Sequence, residues 1–118
     1  SKVAGDLRQF SPRFADENID HNLRLVDALR AIADARGVSV AQVAIAWVMA
    51  QGSDIVPVIG ARSRDRLTEA LGAADLELTP SDLAEIEEAV PAGAVAGDRY
   101  PSQMMAMLDS ERTRTTAA

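Results

Sequence analysis

Residues 54–69 read DIVPVIGARSRDRLTE. Ile55, Val56, Val58 and Ile59 form an apolar run of strand length, which suits a strand buried on both faces, as in a parallel sheet. Pro57 lacks an N–H and weakens the case for a fully paired central strand. Gly60 and Ala61 leave the backbone open to close approach. Ser63 is a good N-cap for a helix beginning at Arg64. The unpaired N–H groups of that first turn, the helix dipole, and Arg62, Arg64 and Arg66 together favour an anion. The plainer reading of the same residues is a strand–helix junction with a solvated arginine face.

The chain has 118 residues, 47% of them hydrophobic, which is one domain or a piece of one with enough apolar material for a core. The net charge of −6 argues against a general nucleic-acid binder. With no cysteine there is no disulfide framework, thiolate metal site or thiol nucleophile. The sequence shows no basic-then-apolar leader, and its longest apolar run, 43–50, is far short of the roughly 20 residues of a membrane span. The expectation is a cytoplasmic protein with neither nucleic acid nor membrane as partner.

Outward from the central stretch, residues 1–17 have no helical or strand period and read as an irregular entry loop with Phe10 and Phe14 as anchors, or equally as a disordered terminus. The spacing of Leu23, Val26, Leu29, Ile32 and Ala33 predicts an amphipathic helix over 18–36, stopped by Gly37. Ser39 and Gln42 form a capping-box pattern. The helix behind it, from Val40 to Ala50, is apolar nearly all round and is expected to be buried. After the central stretch, Leu67, Ala70, Leu71 and Ala74 form the inward stripe of the arginine-bearing helix. Thr79, Pro80 and Asp82 open another helix, whose stripe is Leu83, Ile86 and Val90. Residues 91–118 are a small-residue linker, a DRYP turn, a methionine-rich segment packed on the body, and a polar end.

Only 54–60 reads as a clear strand, and a single strand is not a stable fold. A strand followed by a helix is the repeat unit of α/β domains. The residues therefore indicate a C-terminal slice of a larger α/β domain, mostly helical, with its ligand side at the carboxyl end of the strand.

Three segments carry a family resemblance: SPRFADENIDHNLRLVDALRAIADARGVSVAQVAIAWVMAQ at 11–51, DIVPVIGARSRDRLTEALGAADLELTPSDLAEIE at 54–87, and AGDRYP at 96–101. In this order they resemble the aldo-keto reductases, NADP(H)-dependent oxidoreductases built on a TIM (β/α)8 barrel. The resemblance implies that 18–90 is the C-terminal barrel segment and 91–118 the C-terminal tail. It places Ile59, Gly60, Ala61 and Arg62 at the turn that binds the cofactor phosphate. Arg66 falls where the family contacts the 2′-phosphate and adenine, and Glu69 at an adenosine contact. Ala70 stands where the family usually has an adenine-touching asparagine, so a hydrogen bond worth about 1 kcal/mol is absent there.

The family's catalytic Asp, Tyr, Lys and His come from the first half of the barrel, and none is placed in this chain. Lys2 and His21 read as loop and helix-surface residues, Tyr100 and Trp47 as packing. Met104, Met105 and Met107 read as gap-fillers, with a part in shaping the substrate pocket as the resemblance's alternative. The expected function is the cofactor-binding part of a carbonyl/alcohol oxidoreductase, inactive by itself, with a small carbonyl compound as substrate of the complete protein. The alternatives are a non-catalytic nucleotide-binding or protein-interaction remnant, with self-association through exposed apolar faces, and a helix-turn-helix regulator. The last suffers from a second helix with almost no base-reading side chains.

Overall fold

Helix α1 spans Asp16–Ala35 and opens with Asp16 and Glu17 in its first turn, where negative charge complements the helix dipole. It stops at Gly37, which takes φ +67°. That left-handed step lets the Val38 N–H reach back to the Ala33 carbonyl at 3.0 Å, closing the helix end. In this computed structural model residues 7–108 are described. The expectations for Lys2 and for the chain beyond Ser110 lie outside them. The chain divides into two units, one of residues 24–94 and the other of 1–23 with 95–118, the second described over 7–23 and 95–108.

In the first of these units, α2 (Val40–Ala50) begins at the expected capping box. The Gln42 N–H donates to Ser39 Oγ at 3.2 Å and the Ser39 N–H to Gln42 Oε1 at 2.9 Å. Helix α3 (Arg64–Leu71) continues into a 3-10 turn, Gly72–Asp75, and both pack against α2. Helix α4 (Pro80–Ala89) has its own capping box, between Thr79 and Asp82. The core joins α1, α2 and α4 through Ile32, Ala33, Val43 and Ile86, flanked by Leu29, Trp47, Leu76 and Leu78. Burying an Ile or Val side chain stabilises by about 1.5–3 kcal/mol. The buried set is small and partly alanine: Ala33, Ala46 and Ala73 belong to it.

An ionic contact ties the residue just past α1 to α4. Arg36 Nη2 donates to Asp82 Oδ2 at 2.7 Å and to the Glu77 carbonyl at 2.9 Å. Asp82 Oδ2 also accepts from the Thr79 hydroxyl and the Thr79 N–H, each at 2.7 Å. These Thr79 bonds first, and the Arg36 charge last, hold the Asp82 carboxyl below the usual carboxylate range.

Several sequence expectations need correction. The described residues contain no strand: 54–60, expected as the one clear strand, has no regular secondary structure beyond a turn at Asp54. Val56 is 83% and Val58 99% exposed. A strand is completed by a neighbour's N–H and C=O groups, and no segment among the described residues offers them. Helix α2 is not covered all round. Val43 and Ala46 are buried, but Ala41, Ala44, Met49 and Ala50 are exposed, since no described element lies over that face. On α3, Leu67 and Leu71 are likewise exposed and Ala70 is half-buried, and the residue buried there is Ala73 in the following turn. The methionine segment is not packed away either: Met104 and Met107 are exposed.

The second unit is held by side-chain amides. Two 3-10 turns, Leu7–Phe10 and Pro12–Phe14, occupy the stretch expected to be irregular loop. Asn22 donates to the Arg13 carbonyl at 3.0 Å and the Ala96 carbonyl at 2.9 Å, and accepts from the Ala96 N–H at 2.9 Å. Asn18 donates to the Pro12 carbonyl at 2.9 Å. Gly97 sits against this junction with φ +80°, where an added Cβ would lie 2.8 Å from the Pro12 carbonyl group. Beyond the DRYP turn a single helical turn, α5 (Ser102–Met105), follows.

Candidate functional site

The geometry at the head of α3 follows from local sequence. Ser63 is extended (φ −138°, ψ 159°), and its hydroxyl accepts from the Arg66 N–H at 3.3 Å, so the helix starts where the cap dictates. Ahead of it, Gly60, Ala61 and Arg62 turn so that together with Arg66 they line an open concavity of about 600 Å³. Residues four apart on either side of a helix start are thereby brought onto one surface.

Arg66 is 68% exposed and pairs with Glu69, Nη1 to Oε2, at 3.3 Å. An exposed pair of this kind contributes roughly 0.2–1 kcal/mol. A hydrogen bond from a guanidinium to a charged oxygen contributes about 1.5–3 kcal/mol. The Glu69 contact therefore orients Arg66 without preventing it from turning to an incoming anion. Glu69 is within reach of the concavity only through Arg66. Ile59 is 38% exposed and Ala70 half-buried, and neither lines it. Of the sequence-assigned residues, the fold thus gathers Gly60, Ala61, Arg62 and Arg66, with Glu69 as a support.

Nothing in the fold itself demands glycine at 60. Its φ is not left-handed, and an added Cβ would meet no atom within 4 Å. The space beside it is open to a ligand. The other residues weighed in the sequence lie elsewhere. His21 is half-buried on α1. Trp47 packs on the core, with its indole N–H buried and without a hydrogen-bond partner among the described residues.

A second cavity, of about 470 Å³, lies in the unit formed by the chain's two ends. Phe10 and Phe14 form one wall, and Tyr100 and Met104 another, with Arg8 and Arg99 beside them. In the sequence these aromatics read only as anchors and packing. The two walls are far apart in the sequence, with the hydrogen-bonded Ser11 and Arg99 88 positions apart, and no local pattern links them.

The arginine-lined turn lies inside a segment with clear relatives. A family model described as "Aldo/keto reductase family" matches residues 3–91. The chain belongs to the aldo/keto reductase family. It is similar to "Probable aldo-keto reductase 1" of Glycine max, 43% identical over 89 residues, covering 75% of this chain and 26% of that protein. It is also similar to "Aldo-keto reductase yakc [NADP(+)]" of Schizosaccharomyces pombe, 39% identical over 97 residues, covering 82% of this chain and 28% of that protein. This aldo/keto reductase chain thus spans about a quarter of the length of these relatives. No solved structure matches significantly. Among the described residues, no single helix is long and apolar enough to cross a membrane.

Proposed function

We propose that this aldo/keto reductase chain is the cofactor-phosphate end of an NADP(H)-dependent carbonyl/alcohol oxidoreductase, with 18–90 as the C-terminal segment of a (β/α)8 barrel. One observation carries the reading. Gly60, Ala61, Arg62 and Arg66 meet on one concavity at the capped start of α3, inside the family-matched residues. The donor set suits a phosphate: two guanidinium groups, a helix start, and a glycine with open space beside it. The relative whose name carries NADP(+) supports the choice of cofactor.

In this reading Arg62 and Arg66 take the 2′-phosphate, and Ile59–Ala61 supply the turn against which it rests. Glu69 holds Arg66 in place, and Ala70 leaves one edge of the adenine without an amide partner. NADPH, when bound, supplies the hydride for a carbonyl carbon. Catalytic Asp, Tyr, Lys and His are not assigned to this chain, which binds the cofactor and does not turn over substrate alone. A cytoplasmic location and a small carbonyl substrate belong to the same proposal.

The exposed apolar residues favour one secondary reading, an interaction surface. Val56, Val58, Leu67 and Leu71 are all open in a single unit, and a second copy or a protein partner would cover them. The exposed face of α2 carries Ala41, Ala44, Met49 and Ala50, with no donor able to read a base edge, so a DNA-reading role has no support.

Calorimetric titration of the protein with adenosine 2′,5′-bisphosphate and with AMP tests the main reading. The expected result is at least about tenfold tighter binding of the bisphosphate, as one charge-assisted contact implies. Equal affinities, or binding of neither, overturn it.

A further inference from the structure

Gln42 does more than close the capping box of α2. Its Oε1 accepts the Ser39 N–H at 2.9 Å while its own N–H donates to Ser39 Oγ at 3.2 Å, so the side chain is held at its far end. The other polar atom of the same amide, Nε2, lies against Gly72, where an added Cβ would overlap it. Gly72 is the C-cap of α3, and its N–H donates to the Thr68 and Ala70 carbonyls. Its φ of −61° and ψ of −17° are ordinary right-handed values, at which helix propensity favours alanine over glycine. The Gln42 amide, not the backbone, is what demands glycine at 72.

This contact sits where α3 is anchored. None of the α3 residues is buried, and Leu67 and Leu71 are exposed. The buried residue is Ala73, next to Gly72, in the turn that packs against α2. The opposite end of α3 carries Arg64 and Arg66 behind the Ser63 cap. Glu69, which pairs with Arg66, lies one helical turn before Gly72. Arg66 is about 9 Å from Gly72 along the axis, six residues at roughly 1.5 Å each. A short helix moves as one body, so a displacement of its anchored end is carried to the arginine turn.

We infer that Gln42 is a positioning residue for the arginine turn. Locked in the α2 capping box, it sets through Gly72 where the C-terminal end of α3 rests, and so where Arg66 stands beside Gly60, Ala61 and Arg62. Gln42 does not itself line the concavity and acts only through α3. Its effect on phosphate selectivity rests on the proposed cofactor reading, whereas its effect on the placement of α3 does not.

The test is a double-mutant cycle in the 118-residue chain: Gly72→Ala, Gln42→Ala and both together, with Ser39→Ala as a control. The readouts are the preference for adenosine 2′,5′-bisphosphate over AMP by calorimetry, the urea midpoint, and the backbone amide resonances of 63–71 without ligand. Gly72→Ala should cut the parent's roughly tenfold preference to below about threefold, shift the amides around Arg66 and lower the midpoint. Adding Gln42→Ala should restore the preference and return the shifts, because the new Cβ then has room. In that background Gly72→Ala should raise the midpoint, as alanine does at a helical position. Ser39→Ala should lower the midpoint and leave the preference intact, which separates positioning from loss of stability. Unchanged amides and preference in Gly72→Ala, or a loss of both that Gln42→Ala does not relieve, overturns the inference. A parent chain with no preference overturns the cofactor reading instead, and the amide shifts and the reversal of the midpoint then decide the Gln42–Gly72 contact alone.

Discussion

Val43 and Val58 are the same residue in equally apolar stretches, yet Val43 is fully buried and Val58 is 99% exposed. Both lie in the 24–94 unit. The difference teaches what each kind of element needs. A helix satisfies its own backbone, so α2 requires only a partner for one stripe, and α1 and α4 supply it through Ile32 and Ile86. The segment at 54–60 cannot satisfy its backbone alone. Without an adjoining strand among the described residues, its side chains have no face to turn inward.

The comparison would break most visibly at Ile86. Ile86→Ala removes a buried side chain from the helix core and should destabilise the 24–94 unit by about 2–5 kcal/mol. Urea unfolding measures this, and a loss below about 1 kcal/mol would mean the core is not the organising contact. At the exposed stretch the largest expected effect is on binding. Arg66→Ala should weaken NADPH by about tenfold and NADH hardly at all, with stability unchanged. Equal weakening of both cofactors would remove Arg66 from the 2′-phosphate.

Smaller effects sharpen the contrast. Ser39→Ala takes away the α2 cap and should cost roughly 1 kcal/mol in the same unfolding experiment. At Asp82 the expectation concerns pH. Its folded-state carboxyl is held below the ordinary range, so its stabilising contribution is complete above the unfolded value and is lost as pH falls through the folded one. The chain should therefore weaken below about pH 4. Asp82→Asn should flatten that acid limb, and an unchanged limb would assign the acid sensitivity elsewhere. The smallest effect belongs to Val58→Thr, within about 0.5 kcal/mol of the parent chain. A larger loss would show that something covers Val58 in solution, and would favour the self-association reading.

Much of this was legible from local patterns. Caps involve side chains three residues apart, so Ser39–Gln42, Ser63 and Thr79–Asp82 announce their helices in the sequence and stand where expected. The arginine turn was legible for the same reason, since Gly60 to Arg66 are near neighbours along the chain. The aromatic cavity was not, because the segments carrying Phe10 and Tyr100 are far apart along the chain and share a cavity only in the folded structure. Asn18, Asn22 and Gly97, which brace that junction, look like ordinary helix and loop residues in the sequence.

The sequence by itself determined helices α1 to α4, the caps of α2, α3 and α4, the family and the placing of arginines at the start of α3. These depend on contacts between residues a few positions apart, or on residue identity alone. Only the tertiary structure decided which apolar residues are covered, and that Phe10, Phe14 and Tyr100 surround one cavity. Hydrophobicity states that a residue gains by leaving water, but where it goes depends on a second surface arriving beside it. For Val43 that surface is present, and for Val58 it is absent among the described residues.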